Sequence, residues 1–488
     1  MKKSLFFAAA ASALMLTACS SENDVVQNTA PQTQTTVQQQ AVGFDIYTPA
    51  ATNARRAGYT GVMTTEKLKI NTPNKVGFGV MAFYTDNANY TSGLTPNFMY
   101  NEHVSWDNGW AYSPLKYWPN ETTNDSQTAP YQATATTKDK LSFFAYAPYV
   151  NLTKAGSMIT NFAAHSADPE TGTTNAYIEA APSTGILAIT KENYGGDPLV
   201  EYKVSSNPDA NVDLLWGVAP AGMSYTDVSG STTTAPVGTP LKDMVKPDKD
   251  QKMKFLFQHA LSRIGLTVVS AIDQIAAGDD GGIYKNADTR VLIEGVKIWG
   301  EFGTRGVLNL NNGNKNEANW IEASVDRRWS DEDHPLFTVT IANDYLAEDL
   351  RYVTSQIEAV TGAENASAAE TAFTSIYEGV LPSEKTLLKA DDSSNPRYFM
   401  VIPSPLPAVQ TGLYVQIKYH VVTKDTKLNG FVSDITNTIT RRADIHFENG
   451  KSYNLKLILG MTSVKLDATV ADWQVADDSD IWLPQNND

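Results

Sequence analysis

The chain has 488 residues and a formal net charge of -16, from 38 Lys+Arg against 54 Asp+Glu, with 42% apolar residues. That charge argues against nucleic acid or an anionic membrane surface as a partner, because both would repel it. The length exceeds one ordinary core and predicts two domains, which the apolar fraction is sufficient to fold.

Residues 1–18, "MKKSLFFAAAASALMLTA", read as an export signal: a positive start at Lys2 and Lys3, an apolar run over 5–16, then small residues. The run is too short for a spanning helix. Cys19 follows at once and is the only cysteine, so no intrachain disulfide can form. "LTAC" over 16–19 resembles the bacterial lipobox, in which the thiol is acylated, palmitate being an expected chain, and the cysteine becomes the new N-terminus. Residues 19–41 are rich in Gln, Thr, Ser and Asn and read as a disordered tether. About twenty such residues reach on the order of 70 Å when extended.

From residue 42 onward the pattern is period-2 alternation, which predicts half-buried strands. "AVGFDIY" places Val42, Phe44 and Ile46 on one face, and the small, polar segment 49–58 that follows contains the adjacent pair Arg55 and Arg56. In "VGFGVMAFY", Val76, Phe78, Val80, Ala82 and Tyr84 share a face. Further strands are read from Leu141, Val212, Ser262, Thr289, Leu336 and Arg397. In "LYVQIKYHVV" the residues Leu413 to Val421 alternate inward, with Gln416, Lys418 and His420 toward water, and "SYNLKLILGM" repeats this with Tyr453, Leu455, Leu457, Leu459 and Met461. Many short strands with turn-rich connections imply antiparallel β-sandwiches. The one clear helical pattern runs from about Asp344 to Val360, through Leu346, Leu350, Val353 and Ile357. The Thr/Pro/Lys/Asp-rich stretch over 232–252 places a boundary near residue 248, giving an N-terminal domain over 42–248, a C-terminal domain over 249–475 and a tail over 476–488.

Catalytic constellations are thin. The six histidines are scattered, with no HExxH, and no GxSxG, P-loop or GxGxxG occurs, so the expectation is no enzyme, no cofactor and no metal. "DANVD" sets Asp209, Asn211 and Asp213 at alternate positions, but the glycine and glutamate of a calcium loop do not follow, which leaves a solvated loop entering a strand. "SDEDHP" over 330–335 reads as a solvated turn. The rings of Trp106, Trp110, Tyr112, Tyr117 and Trp118 are read first as sandwich core and, as the alternative, as a sugar-stacking platform. That alternative makes the chain a monomeric outer-membrane lipoprotein that binds glycans.

In combination, the lipobox "LTAC", "VGFDIY" followed by "ARRA", "VGFGVMAFY", "WAYSPLKYWPN" leading to "LSFFAYAP", "FQHALSRIGLTV" and the closing "GKSYNLKLILGMTSVKLDATVADWQ" resemble the fimbrillin family, the type V pilus subunits of Bacteroidales. The resemblance spans nearly the whole mature chain. It implies two transthyretin-like β-sandwich domains and export to the outer membrane as a lipoprotein anchored through Cys19. It also implies cleavage by an arginine-specific or trypsin-like protease at Arg55 or Arg56, removal of the strand carrying Val42, Phe44 and Ile46, and filling of the vacated groove by the C-terminal strand of another subunit. The donor is then expected in Ile481, Trp482 and Leu483, behind the acidic residues Asp477, Asp478 and Asp480. Partners implied are other pilus subunits, the processing protease, outer-membrane lipid and a host protein or glycan receptor, with adhesion as the role. The chain is longer than a minimal stalk subunit, with extra material near 150–200, 222–250 and 355–395.

Overall fold

Strands form where apolar side chains alternate. "SRIGLTVVS" folds as Ser262–Ser270, "TRVLIEGVKIW" as Thr289–Trp299 and "LYVQIKYHVV" within Gly412–Lys424. "LSFFAYA" falls within Lys140–Ala147 and "SYNLKLIL" within Lys451–Leu459. The computed structural model describes residues 40–47, 62–72, 75–119, 139–152, 158–159, 185–192, 195–221, 224–226, 232–247, 251–272, 288–312, 318–321, 325–391, 396–403 and 412–472. The chain is mainly β, with short helices.

The first sheet runs, edge to edge, Phe44–Tyr47, Met253–His259, Leu215–Val218, Lys140–Ala147, Phe78–Tyr84, Met99–Trp106 and Trp110–Ala111, with Leu241–Val245 also paired to Lys140–Ala147. Its central strands are buried on both faces. Phe78, Val80 and Ala82 point into one core with Phe143, Phe255 and Phe257, whereas Met81 and Phe83 point into the other with Phe144, Tyr146 and Trp216. A second sheet joins Leu199–Lys203 and Ile186–Thr190 to Glu301–Asn309, so it takes strands from both sides of residue 248.

The second half is a sandwich. One sheet holds Ser262–Ser270, Lys451–Leu459 and Val464–Asp472, and the other holds Phe337–Thr340, Thr289–Trp299, Gly412–Lys424 and Val432–Asp444. Ile264, Leu266, Leu455 and Leu457 of the first face Val291, Ile293, Ile417 and Tyr419 of the second in one core, and the Tyr419 hydroxyl donates across it to the Gly460 carbonyl at 2.8 Å. The chain leaves this sandwich for the second sheet at Gly300, whose φ of 143° suits a residue without Cβ. Among the described residues most ladders are antiparallel; the parallel ones join Phe44–Tyr47 to Met253–His259, Ser262–Ser270 to Lys451–Leu459 and Met158–Ile159 to Ile186–Thr190.

Three local expectations are corrected. The helical pattern over 344–360 breaks: Glu348–Leu350 is a single 3-10 turn, Arg351 is extended, and the helix is Thr354–Thr361, followed by Ala366–Thr374. Leu346 and Leu350 serve the main core while Ile357 and Val360 serve a smaller one over Leu292 and Val422, so one periodic run covers two surfaces. Gln416 and His420 are buried rather than facing water, because the Tyr352 ring stacks on His420 at 3.4 Å and Glu332 takes a hydrogen bond from Gln416. Met461 is exposed, since its strand ends at Leu459.

Candidate functional site

Val42, Phe44 and Ile46 share one face, as the alternation predicts, and that face is buried at 1%, 1% and 5% exposure. The strand Phe44–Tyr47 nonetheless sits at the end of its sheet. Its ladder is one set of four pairs: Phe44 with Met253, Asp45 with Lys254, Ile46 with Phe255 and Tyr47 with Leu256. Just upstream, the chain turns to its other side. Val42 N donates to the Lys116 carbonyl at 2.9 Å, Trp118 N donates to the Gln40 carbonyl at 2.9 Å, and Ala41 bridges Tyr117. The first segment is thus wedged between Met253–His259 and the chain around 116–118.

The floor of this wedge is aromatic. The Phe44 ring lies 5.7 Å from those of Tyr112 and Phe143, 6.0 Å from Phe255 in near-parallel stacking and 6.4 Å from Phe78 edge-on. Such pairs add to plain area burial. The Tyr112 hydroxyl donates to the Val42 carbonyl at 2.7 Å. Burial, partly offset by a hydrogen bond with the Lys116 backbone, pushes the Tyr112 phenol up to about 12, so it stays a donor at neutral pH. Sequence reading did not single out Phe255 and Phe257, although the apolar alternation of Met253, Phe255 and Phe257 mirrors that of Val42, Phe44 and Ile46.

The aromatic cluster over 106–118 belongs to this seat. Trp110, Tyr112 and Trp118 are buried, with Trp110 5.2 Å from Phe78 and Trp118 5.8 Å from Phe143. Tyr117 is exposed, and Trp106 lies against Trp110 and under the Lys69 ammonium at 4.8 Å. Trp110, Tyr112 and Trp118 are thus core, as the first reading expects, whereas half-buried Trp106 and exposed Tyr117 are not.

The acidic motif over 209–213 is not a solvated loop. Asp209 pairs with Arg397 at 2.7 Å and Asn211 Nδ2 donates to the Tyr398 carbonyl at 3.1 Å. Asp213 is buried and its Oδ2 accepts from Met63 N at 2.9 Å and from His259 Nδ1 at 2.7 Å. These partners lie 46 to 188 residues away, which is why local spacing suggested solvent. Residues 331–334 form the exposed turn expected of them, with His334 on Asp331. Among the described residues no group of three or more His, Cys, Asp or Glu is arranged to hold a metal ion.

Cys19, Arg55, Arg56, Ile481, Trp482 and Leu483 lie outside the described residues. In the sequence, Arg55 and Arg56 fall between the described residues Tyr47 and Val62, and Ile481, Trp482 and Leu483 come after the strand Val464–Asp472.

No family model matches the chain. The fimbrillin resemblance is borne out by a curated relative, fimbrium subunit Fim1C of Phocaeicola vulgatus, 24% identical over 450 residues that cover 90% of each chain. The fold is similar to that of a fimbrial protein from Bacteroides vulgatus, with a TM-score of 0.50 at 21% identity over 89% of this chain and all of that one.

Proposed function

We propose that the protein is a structural subunit of a cell-surface fimbrium. It is exported as an outer-membrane lipoprotein through Cys19, activated by cleavage after Arg55 or Arg56, and polymerised by donor-strand exchange, with a role in adhesion. The observation that carries this reading is the first strand. It seals a hydrophobic core, yet its ladder is only four pairs at a sheet edge, with two further backbone hydrogen bonds upstream to the chain around 116–118, and it is joined to the body by a segment with two adjacent arginines.

The energetics favour the sequence of events. Removing Val42, Phe44 and Ile46 exposes apolar surface worth roughly 5–8 kcal/mol and leaves the edge of Met253–His259 unpaired. A strand from another subunit restores both terms by β-augmentation. Arginine in a small, polar connection offers the cation that a protease with an acidic specificity pocket binds. The donor is assigned to Ile481, Trp482 and Leu483, which follow an edge strand that is itself largely exposed. The fimbrial name of the curated relative, which the chain matches over 90% of both lengths, supports the same role.

The test is an Arg55→Ala/Arg56→Ala chain produced in its native cell. It is expected to stay membrane-bound and monomeric, while the unaltered chain is shortened and enters polymer; normal polymer from the double variant contradicts the cleavage step.

A further inference from the structure

We infer that Asp213 and His259 form an anchor that holds the chain at Met63 once the first strand has been cut away, and so fix where the processed body begins. This rests on the cleavage reading above and goes beyond it. Met63 follows the arginine-bearing connection, and its backbone N–H donates to Asp213 Oδ2 at 2.9 Å. The same oxygen faces His259 Nδ1 at 2.7 Å, and the side chains of His259 and Asp213 are 2% and 0% exposed. A hydrogen bond to a charged acceptor out of contact with water is among the stronger ones. Breaking it takes one of two donors from Oδ2 in a carboxylate whose Oδ1 is already buried without a partner.

The place of the anchor in the fold gives it a task. His259 ends the strand whose opposite end carries the ladder to Phe44–Tyr47, so one strand holds both the piece to be lost and the piece to be kept. Met63 and Leu68 are fully buried in the same core as Phe44. Leu68 ends a four-residue helix, Thr65–Leu68, capped by the Thr64 hydroxyl accepting from Lys67 N at 3.2 Å. A helix that short has almost no stability of its own.

Before cleavage, the segment is held at both ends. After cleavage it is a free terminus, and free termini fray unless tied down. Without the tie, Met63 and Leu68 would peel out and lengthen the groove beyond the strand it has to receive. The anchor therefore matters after the cut and not before it.

The experiment uses the purified full-length chain and trypsin, with N-termini read by mass spectrometry over time. Two variants are compared with the unaltered protein: Asp213→Ala, which leaves Met63 N–H no side-chain acceptor, and Asp213→Leu/His259→Leu, which replaces a buried pair by apolar bulk and so tends to preserve the fold. The unaltered chain is expected to be cut at Arg55 or Arg56 and then to resist. Both variants are expected to show the same first cut, followed by a second after Lys67 or Lys69 about ten- to a hundredfold faster, the factor for losing one buried hydrogen bond to a charged group. Variants that stop at the first cut, as the unaltered chain does, overturn the inference. So does equally fast cutting at Lys67 or Lys69 when the variants are made on an Arg55→Ala/Arg56→Ala background, which would mean general loosening of the fold. An unaltered chain left whole at Arg55 and Arg56 overturns the cleavage reading itself, and the inference with it.

Discussion

The two strands at the ends of the described chain, Phe44–Tyr47 and Val464–Asp472, are held in opposite ways. The first has four ladder pairs and a fully buried apolar face. The last has nine ladder pairs with Lys451–Leu459, but its inward row runs off the core: Val464 is buried, Leu466 half-buried and Val470 56% exposed. Side chains hold the first strand and the backbone ladder holds the last. Loss of the first strand opens a core, whereas displacement of the last would leave the sandwich core largely covered by Tyr453, Leu455 and Leu457 and their partners. That asymmetry suits a subunit that gives up one end to receive the other end of a neighbour.

The comparison can be broken or sharpened by substitution. Phe44→Ala removes the ring at the centre of the aromatic seat and is expected to destabilise the uncut chain by about 3–5 kcal/mol, the range for a buried phenylalanine, measured by urea unfolding. A loss below about 1 kcal/mol would mean that the first strand is not a core element. Tyr112→Phe keeps the ring but deletes the donor to the Val42 carbonyl, for about 1 kcal/mol.

The same residue contributes, with other tyrosines raised by burial such as Tyr100 and Tyr453, to an alkaline limit. Its phenol titrates higher in the folded chain than the ordinary 10, so its contribution is complete below pH 10 and is lost as pH rises toward about 12. Tyr112→Phe should flatten the corresponding fall in melting temperature. The last strand has a weaker version of this behaviour. The hydrogen bond to Asp472 outweighs slight burial and raises the Lys451 ammonium, so that pair also fades at high pH and in salt. Val470→Ala, on the exposed end, is expected to change stability by less than about 0.5 kcal/mol; a cost comparable to that of Phe44→Ala would erase the distinction between the two strands.

The sequence made one face of each strand legible and the other face obscure. Alternation identifies Phe78, Val80 and Ala82, yet Met81 and Phe83 are just as buried, because a second layer covers the sheet from residues far along the chain. Likewise Gln416 and His420 occupy polar positions of an amphipathic strand and are buried by Tyr352 and Glu332, which no local pattern connects to them. At the candidate site, Val42, Phe44 and Ile46 were readable from their period and Arg55 and Arg56 from their setting. The pair of Asp213 and His259 was not, since a contact across 46 residues leaves no trace in spacing.

The central claim is that the first strand is discarded, and the most direct measurement is intact mass with N-terminal sequencing of the protein recovered from its native cell surface. A mature chain that starts at Arg56 or Ala57 is the predicted result. A chain that still starts at lipidated Cys19 would contradict it.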